Sequence, residues 1–258
     1  MANWTWFGVR QGPVSTPWPP SPDSPELKGL RGLPEVGTMP CLEGCKACLQ
    51  SCPTEAISLS ESHRVAIDYG RCVLCNLCVE TCPAGVLIES REPLHPVDSR
   101  KALESGADQG LGARRAPRSF RKSIHVRHID AGSCNGCESE TAALFNPFYN
   151  LHRLGIFFTA SPRFADVLLV TGPVTAPMSE PLLAAYEAIP APKWVVVAGV
   201  CAISGGTNGG GLRVGNGVEG VLPVDIFIPG CPPPPTAILE GLLAVTGRAP
   251  SRASGQSS

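Results

Sequence analysis

Cys72-Val73-Leu74-Cys75-Asn76-Leu77-Cys78-Val79-Glu80-Thr81-Cys82-Pro83 is the most informative stretch of this chain. Its cysteines are separated by two, two and three residues, and the last is followed by proline. An earlier stretch repeats it. Cys45, Cys48 and Cys52 recur thirty positions later as Cys75, Cys78 and Cys82, while Cys41 is offset by thirty-one from Cys72. One extra residue therefore lies between Cys41 and Cys45, among Leu42-Glu43-Gly44. Each copy ends in Cys-Pro and then apolar residues: Ala56-Ile57 after the first, Val86-Leu87-Ile88 after the second. Between the copies, Arg64 to Tyr69 alternates like a short strand. Residues 37–92 thus read as a duplicated half-domain.

The second copy matches the spacing of bacterial two-cluster ferredoxins in full. Two-residue spacers on a tight loop let successive thiolates point at corners of one cube. The turn before Pro83 carries the fourth cysteine away, toward the neighbouring cube. The expected assignment is therefore crossed: Cys41, Cys45, Cys48 and Cys82 for one 4Fe–4S cluster, and Cys72, Cys75, Cys78 and Cys52 for the other. Gly44 can absorb the extra residue as a bulge, which leaves Cys41 the one ligand off pattern. A pair of zinc sites is the competing reading. Zinc motifs space two Cys pairs across a long gap, and four cysteines in one short stretch, twice, fit that poorly.

Composition limits the rest. The 258 residues allow one medium domain and a small one. Net charge is −1, so the clustered Lys and Arg of a nucleic-acid binder are not indicated. Only 17% of residues are charged, below the roughly 25% usual in soluble proteins, as expected where partners cover part of the surface. No apolar run reaches the roughly 18 residues of a membrane span. Met1 to Arg10 lacks the pattern of a secretory signal, and Arg114-Arg115 lies too deep for an N-terminal twin-arginine signal. A cytoplasmic chain is expected, and there twelve cysteines read as ligands or catalysts rather than disulfides.

Residues 1–36, rich in Pro, Trp and Gly, read as an extended arm, with the aromatics of Asn3-Trp4-Thr5-Trp6-Phe7 packing on a partner or back on the chain. Residues 93–122, with Gly106, Gly110 and Gly112, read as a linker. Residues 248–258 read as a disordered tail. Residues 123–247 read as an α/β domain. Strands are expected at Ile124–Ile129, Asp166–Val170, Trp194–Ala198 and Val224–Ile228, and helices at Ser179–Ile189 and Thr236–Val245. Nearly continuous apolar strands alternating with helices argue for a doubly wound parallel sheet.

The remaining cysteines, Cys134, Cys137, Cys201 and Cys231, all follow predicted strands and stand beside glycine. In a doubly wound sheet the loops after strand carboxyl ends converge on one crevice, so four thiolates can meet there around a third cube. Four separate core cysteines are the alternative. The arithmetic favours a cluster, since eight and four use all twelve.

Gly132-Ser133-Cys134-Asn135-Gly136-Cys137-Glu138, Val170-Thr171-Gly172-Pro173-Val174, Cys201-Ala202-Ile203-Ser204-Gly205-Gly206 and Ile228-Pro229-Gly230-Cys231-Pro232-Pro233 together resemble the small subunits of nickel–iron hydrogenases and their homologue in respiratory complex I, its cluster-bearing small subunit. The resemblance spans residues 123–245. It implies a flavodoxin-like sheet and a third 4Fe–4S cluster on Cys134, Cys137, Cys201 and Cys231. Complex I subunits usually carry two adjacent cysteines at the first position. The Cys134-x2-Cys137 spacing instead resembles the energy-converting, membrane-bound hydrogenases of the formate hydrogenlyase type. The long C-terminal segment and leader of periplasmic hydrogenases are not seen, which fits the same branch. Residues 37–92 are similar to the two-cluster ferredoxin subunit of those complexes, here fused ahead, and Phe7 to Thr16 is loosely like its arm.

The resemblance implies an electron-transfer subunit of an oxidoreductase complex, without substrate chemistry of its own. Its partners would be a hydrogenase large subunit or complex I 49-kDa-like subunit, membrane subunits indirectly, and an electron donor such as a formate dehydrogenase or a ferredoxin. It would sit peripherally on the inner face of the cytoplasmic membrane. Two rival functions remain: a complex I-like subunit delivering electrons to quinone, and a zinc-stabilised interaction module. Glu138 is a candidate proton relay, with N-capping or solvation as the alternative. His125 and His128 lie on opposite strand faces and read as structural. Gly205-Gly206 through Gly211 lacks the Lys-Ser/Thr of a phosphate loop and reads as a shielding or partner loop.

Overall fold

The computed structural model describes residues 3–11, 32–60, 64–90, 95–105, 120 and 122–248. The linker's Gly106, Gly110 and Gly112, the Arg114-Arg115 pair, residues 12–16 of the ferredoxin-like arm and all of the tail except Arg248 lie outside them.

The small module is built by the repeat. Strands β1 (Leu33–Val36), β2 (Ile57–Leu59), β3 (Val65–Ile67) and β4 (Leu87–Ser90) form two antiparallel pairs, β1 with β4 and β2 with β3. Each cysteine stretch winds into one short helix, α2 (Ala47–Ser51) or α3 (Leu77–Glu80). The two helices touch through Thr81 Oγ1, which donates to Ser51 Oγ at 3.1 Å. Cys48, Ala56, Ile57, Ile67, Tyr69, Cys72, Cys78 and Leu87 form its core. The expected extended arm is corrected at both ends: Asn3–Gln11 is helical (α1), and Leu33–Val36 is a paired strand. Trp6, Phe7 and Val9 are exposed, so this part of the arm does not pack back on the chain.

The large module is a five-stranded parallel sheet: β5 (Ile124–Asp130), β6 (Ile156–Phe158), β7 (Val167–Thr171), β8 (Trp194–Ala198) and β9 (Ile226–Ile228). The order β6-β5-β7-β8-β9 is the flavodoxin-like order. The doubly wound sheet is as expected, with one strand more than the four anticipated. That strand, β6, is an edge strand of three residues paired to β5.

Strands β7, β8 and β9 are buried at every position, because helices cover both faces. Side chains alternate between them. Trp194, Val196 and Ala198 share one core with Ile238 and Leu242 of helix α7 (Pro235–Val245). Val195 and Val197 share the other with Leu182 of helix α5 (Ala176–Ala188) and with Ala202 and Ile203 of helix α6 (Val200–Ser204).

Within the expected linker, residues 95–105 form an ordered strap between the modules. His95 Nδ1 lies 3.3 Å from Glu240 Oε2 on α7. Val97 and Phe227 exchange both backbone hydrogen bonds, at 2.8 and 2.9 Å, which adds an antiparallel bridge to the free edge of β9. A 3-10 turn, Arg100–Leu103, follows. The strap then bonds the small module: Tyr69 N donates to Leu103 O and Ser105 N to Ile67 O, both at 2.8 Å. The polar composition of 93–122 hid this because backbone groups and three apolar side chains, Val97, Ala102 and Leu103, do the joining.

Leu182 is fully buried between α5 and the sheet. Leu182→Ala should cost about 2–5 kcal/mol, read as a fall in the urea midpoint of the large module followed by tryptophan fluorescence from buried Trp194.

Candidate iron–sulfur sites

In the small module, tight backbone positions aim the thiols inward. Leu74 and Asn76 adopt φ +56° and +60° on either side of Cys75. In the first copy the extra residue is taken up where Gly44 adopts φ +73°, in a turn closed by Cys45 N donating to Leu42 O at 3.2 Å. Cys52, Cys72, Cys75 and Cys78 line one cavity, walled by Pro34, Ile57 and Ile67. Cys52 thus faces the other copy's three thiols. Burial pushes the Cys72 thiol up to about 12 and Cys78 up to about 11, with the neighbouring thiols adding to both.

Reciprocally, Cys48 has Cys41 of its own copy and Cys82 of the second copy as neighbours. Cys48 is raised, first by burial and then by Cys41 and Cys82. Cys82 is lowered: partial burial opposes this, but hydrogen bonds from the backbone of Leu87, Val86, Ala84 and Gly85 outweigh it. That amide cradle favours a sulfur bearing negative charge.

In the large module the loops after β5, β8 and β9 carry the four remaining cysteines. Asp130 Oδ1 accepts from Gly132 N at 2.8 Å and Ser133 N at 2.6 Å, which shapes the turn bearing Cys134. Asn135 at φ +71° starts helix α4 (Gly136–Ala143), with Cys137 buried in its first turn. Cys201 lies in α6, directly beyond β8, and Cys231 at the exposed rim after β9. Burial raises the Cys137 thiol, and Glu138, Cys201, Cys134 and Cys231 all add to the effect. Cys201 and Cys231 are raised as well, by desolvation of the sulfur first and then by neighbouring thiols, Cys231 and Cys134 acting on Cys201 and Cys134 on Cys231. The four thiols therefore meet at one end of the sheet.

Two glycines make room for them. A β-carbon at Gly199, where φ is +92°, would lie 2.5 Å from Cys137 Sγ. One at Gly206 would lie 2.8 Å from Cys201 Sγ. Each backbone thus approaches a sulfur more closely than a side chain allows. Among the described residues, no three Cys, His, Asp or Glu side chains converge on a site for a single ion. A donor set of soft thiols, gathered as Cys52, Cys72, Cys75 and Cys78 and as Cys134, Cys137, Cys201 and Cys231 and approached by backbone, fits iron–sulfur cubes.

Glu138 is held within its own chain. Ser133 Oγ donates to Oε2 at 2.6 Å, and Thr171 Oγ1 makes a short contact with Oε1. His128 Nε2 lies 2.9 Å from the same Thr171 hydroxyl and 3.7 Å from Glu138. Burial lowers the His128 pKa, against the opposing pull of Glu138. His125 stacks on Phe157, on the other face.

Sequence reasoning missed Asn76, which lines the first cavity and donates from Nδ2 to Gly32 O at 3.0 Å, while its buried Oδ1 has no hydrogen-bond partner. It also missed the fit of Gly199 and Gly206. The glycine beside each cysteine was visible; which sulfur it faces depends on the fold.

Comparison with known proteins finds two families along the chain. Residues 41–86 match the 4Fe-4S dicluster domain, and residues 134–245 match the NADH ubiquinone oxidoreductase, 20 Kd subunit. An uncharacterized protein of Methanocaldococcus jannaschii is 51% identical over 131 residues, 50% of this chain and 88% of that one. The probable membrane-bound hydrogenase subunit mbhJ of Pyrococcus furiosus is 43% identical over 122 residues, covering 47% and 73%. Formate hydrogenlyase subunit 7 of Escherichia coli is 39% identical over 142 residues, 54% of this chain and 56% of the relative. Among solved structures, a chain of the membrane-bound sulfane sulfur reductase, an archaeal respiratory membrane complex, is 33% identical with a TM-score of 0.44, covering 51% of this chain and 75% of its own. The chain belongs to the family of the NADH ubiquinone oxidoreductase 20 Kd subunit, with a 4Fe-4S dicluster domain ahead of the family's own domain.

Proposed function

We propose that this chain is the electron-transfer subunit of a membrane-associated nickel–iron hydrogenase of the formate hydrogenlyase type, with three 4Fe–4S clusters. The ligand sets are Cys41, Cys45, Cys48 and Cys82; Cys72, Cys75, Cys78 and Cys52; and Cys134, Cys137, Cys201 and Cys231. Bound there, each cube supplies one-electron redox chemistry. The protein holds thiolates, excludes water with residues such as Ile57, Ile67 and Val200, and tunes the sulfurs with backbone amides. The observation that carries the reading is the grouping of thiols: Cys52 lines one cavity with Cys72, Cys75 and Cys78, and Cys134, Cys201 and Cys231 all act on Cys137.

The hydrogenase assignment draws on the relatives named for membrane-bound hydrogenase and formate hydrogenlyase, and on the Cys134-x2-Cys137 spacing. A large subunit would then dock where the third thiol group reaches the surface at exposed Cys134 and Cys231. Among the described residues no helix is long and apolar enough to cross a membrane, so attachment would run through partner subunits. Quinone delivery is the second reading, favoured by the match to the NADH ubiquinone oxidoreductase subunit. A complex isolated through this chain should evolve or consume hydrogen with a viologen dye. Quinone-dependent turnover without hydrogen would instead establish the second reading.

Anaerobically purified chain should contain about twelve iron and about twelve acid-labile sulfide. Zinc without sulfide would overturn the electron-transfer assignment. Gly199→Ala, which drives a methyl group into Cys137 Sγ, should lower both counts to about eight by losing one cube while the small module keeps its two.

A further inference from the structure

The turn that presents Cys72 is also the point where the modules meet. Cys72 N and Arg71 N both donate to Asp68 O at 3.0 Å. Asp68 Oδ1 accepts from Gly70 N at 2.9 Å and from Arg100 Nη1 at 2.7 Å, and Oδ2 accepts from Arg100 Nη2 at 2.5 Å. One carboxylate thus fixes the turn and grips the strap by a two-pronged pair, the strongest geometry an Arg–carboxylate contact has. Against this turn lies Ile203, two residues beyond Cys201 in α6. A β-carbon on Gly70 would stand 2.7 Å from Arg100 Nη1 and 3.0 Å from Ile203 Cγ2. Arg100 cannot swing aside without giving up Asp68. Ile203 cannot either, because it is buried with Val97, Leu103, Val218 and Leu222.

Gly70 is not at a positive φ. Its missing side chain answers to contact, not to backbone conformation. Gly70 lies two positions before Cys72 and Ile203 two positions after Cys201, so this contact joins the two thiol groups through short chain segments.

We propose that Gly70 and Arg100 are positioning residues: the bare Gly70 backbone seated on Ile203, clamped by the Arg100–Asp68 pair, sets the gap between the Cys52, Cys72, Cys75, Cys78 site and the Cys134, Cys137, Cys201, Cys231 site. This rests on the three-cluster reading above. Electron tunnelling falls steeply with separation, so a wedge at Gly70 slows transfer between these two sites while leaving all twelve ligands in place.

The test uses the full chain with clusters reconstituted anaerobically, as wild type, Gly70→Val and Arg100→Ala. Three readouts are taken: iron per chain, hydrogen exchange at the Tyr69 and Ser105 amides, and the spin-relaxation enhancement of the third cluster by its reduced neighbour. The expected result is wild-type iron in both variants, faster amide exchange, loss of the enhancement in Gly70→Val and its weakening in Arg100→Ala. Unchanged enhancement in Gly70→Val at full iron overturns the proposal. Should Gly70→Val not fold, Arg100→Ala decides, since it adds no atom: unchanged enhancement there is equally fatal. Wild-type chain with iron for fewer than three clusters overturns the three-cluster reading itself, and the proposal with it, which the iron assay separates from a failure of positioning alone.

Discussion

Parallel hydrogen bonding in the large sheet is the constraint on which the site depends. Because β5, β7, β8 and β9 run the same way, each must leave the sheet at the same end. Three of the loops that do so carry cysteine. Cysteines on loops thirty to ninety-seven positions apart in sequence, from Cys134 to Cys231, are brought together by strand direction and register. Strands β5 and β7 send the chain to opposite faces, Leu144 and Leu151 after β5 joining one core and Leu182 after β7 the other, and such a switch is where ligands usually bind in these sheets. No local motif produces this meeting. Register produces it, and register is fixed by apolar strands that cannot slip without exposing a face.

The thiols are then placed where they are uncomfortable as free ions. Burial and mutual repulsion raise Cys72, Cys78, Cys137, Cys201 and Cys231. Ligation needs thiolates, so binding must supply positive charge at the sulfurs and release protons. Iron does so. Cys82 is the exception that shows the second device, a ring of backbone amides that stabilises the charged sulfur without any cation. The same amides would remain as hydrogen-bond donors to a bound cluster, and such bonds are one way a protein shifts a cluster's potential.

What the sequence revealed follows from how local each feature is. The doubled cysteine spacing was legible because the cysteines of each copy sit within one short stretch and the turn chemistry is written beside them. Strands β7 and β8 were legible because central parallel strands are apolar throughout. Strand β6 was not, since Ile156–Phe158 is only three residues long and one of them is exposed at the sheet edge. Helix α1 was hidden by its Trp-rich, weakly periodic composition. The strap was hidden for another reason: His95, Val97 and Ser105 act through partners 130 or 145 positions away in the one direction and 38 in the other, and nothing in their own neighbourhood announces them. Gly70 and Gly199 belong to the same class, since each lacks a side chain because of a residue far along the chain.

The strap changes what fusion of the two modules means. A flexible linker raises the effective concentration of one module near the other but leaves their distance a distribution. Electron transfer between buried centres is governed by the near end of that distribution, so a linker alone spends most of its time in unproductive arrangements. Val97 removes this freedom by hydrogen bonding to Phe227, the middle residue of β9. An exposed sheet edge would otherwise invite pairing with another chain. Here the edge is closed by the chain's own connector, and the closure anchors one end of the strap 95–105. At the other end Arg100, Leu103 and Ser105 bond the small module beside the turn that bears Cys72. Covering the edge and fixing the distance between the modules are therefore one structural act.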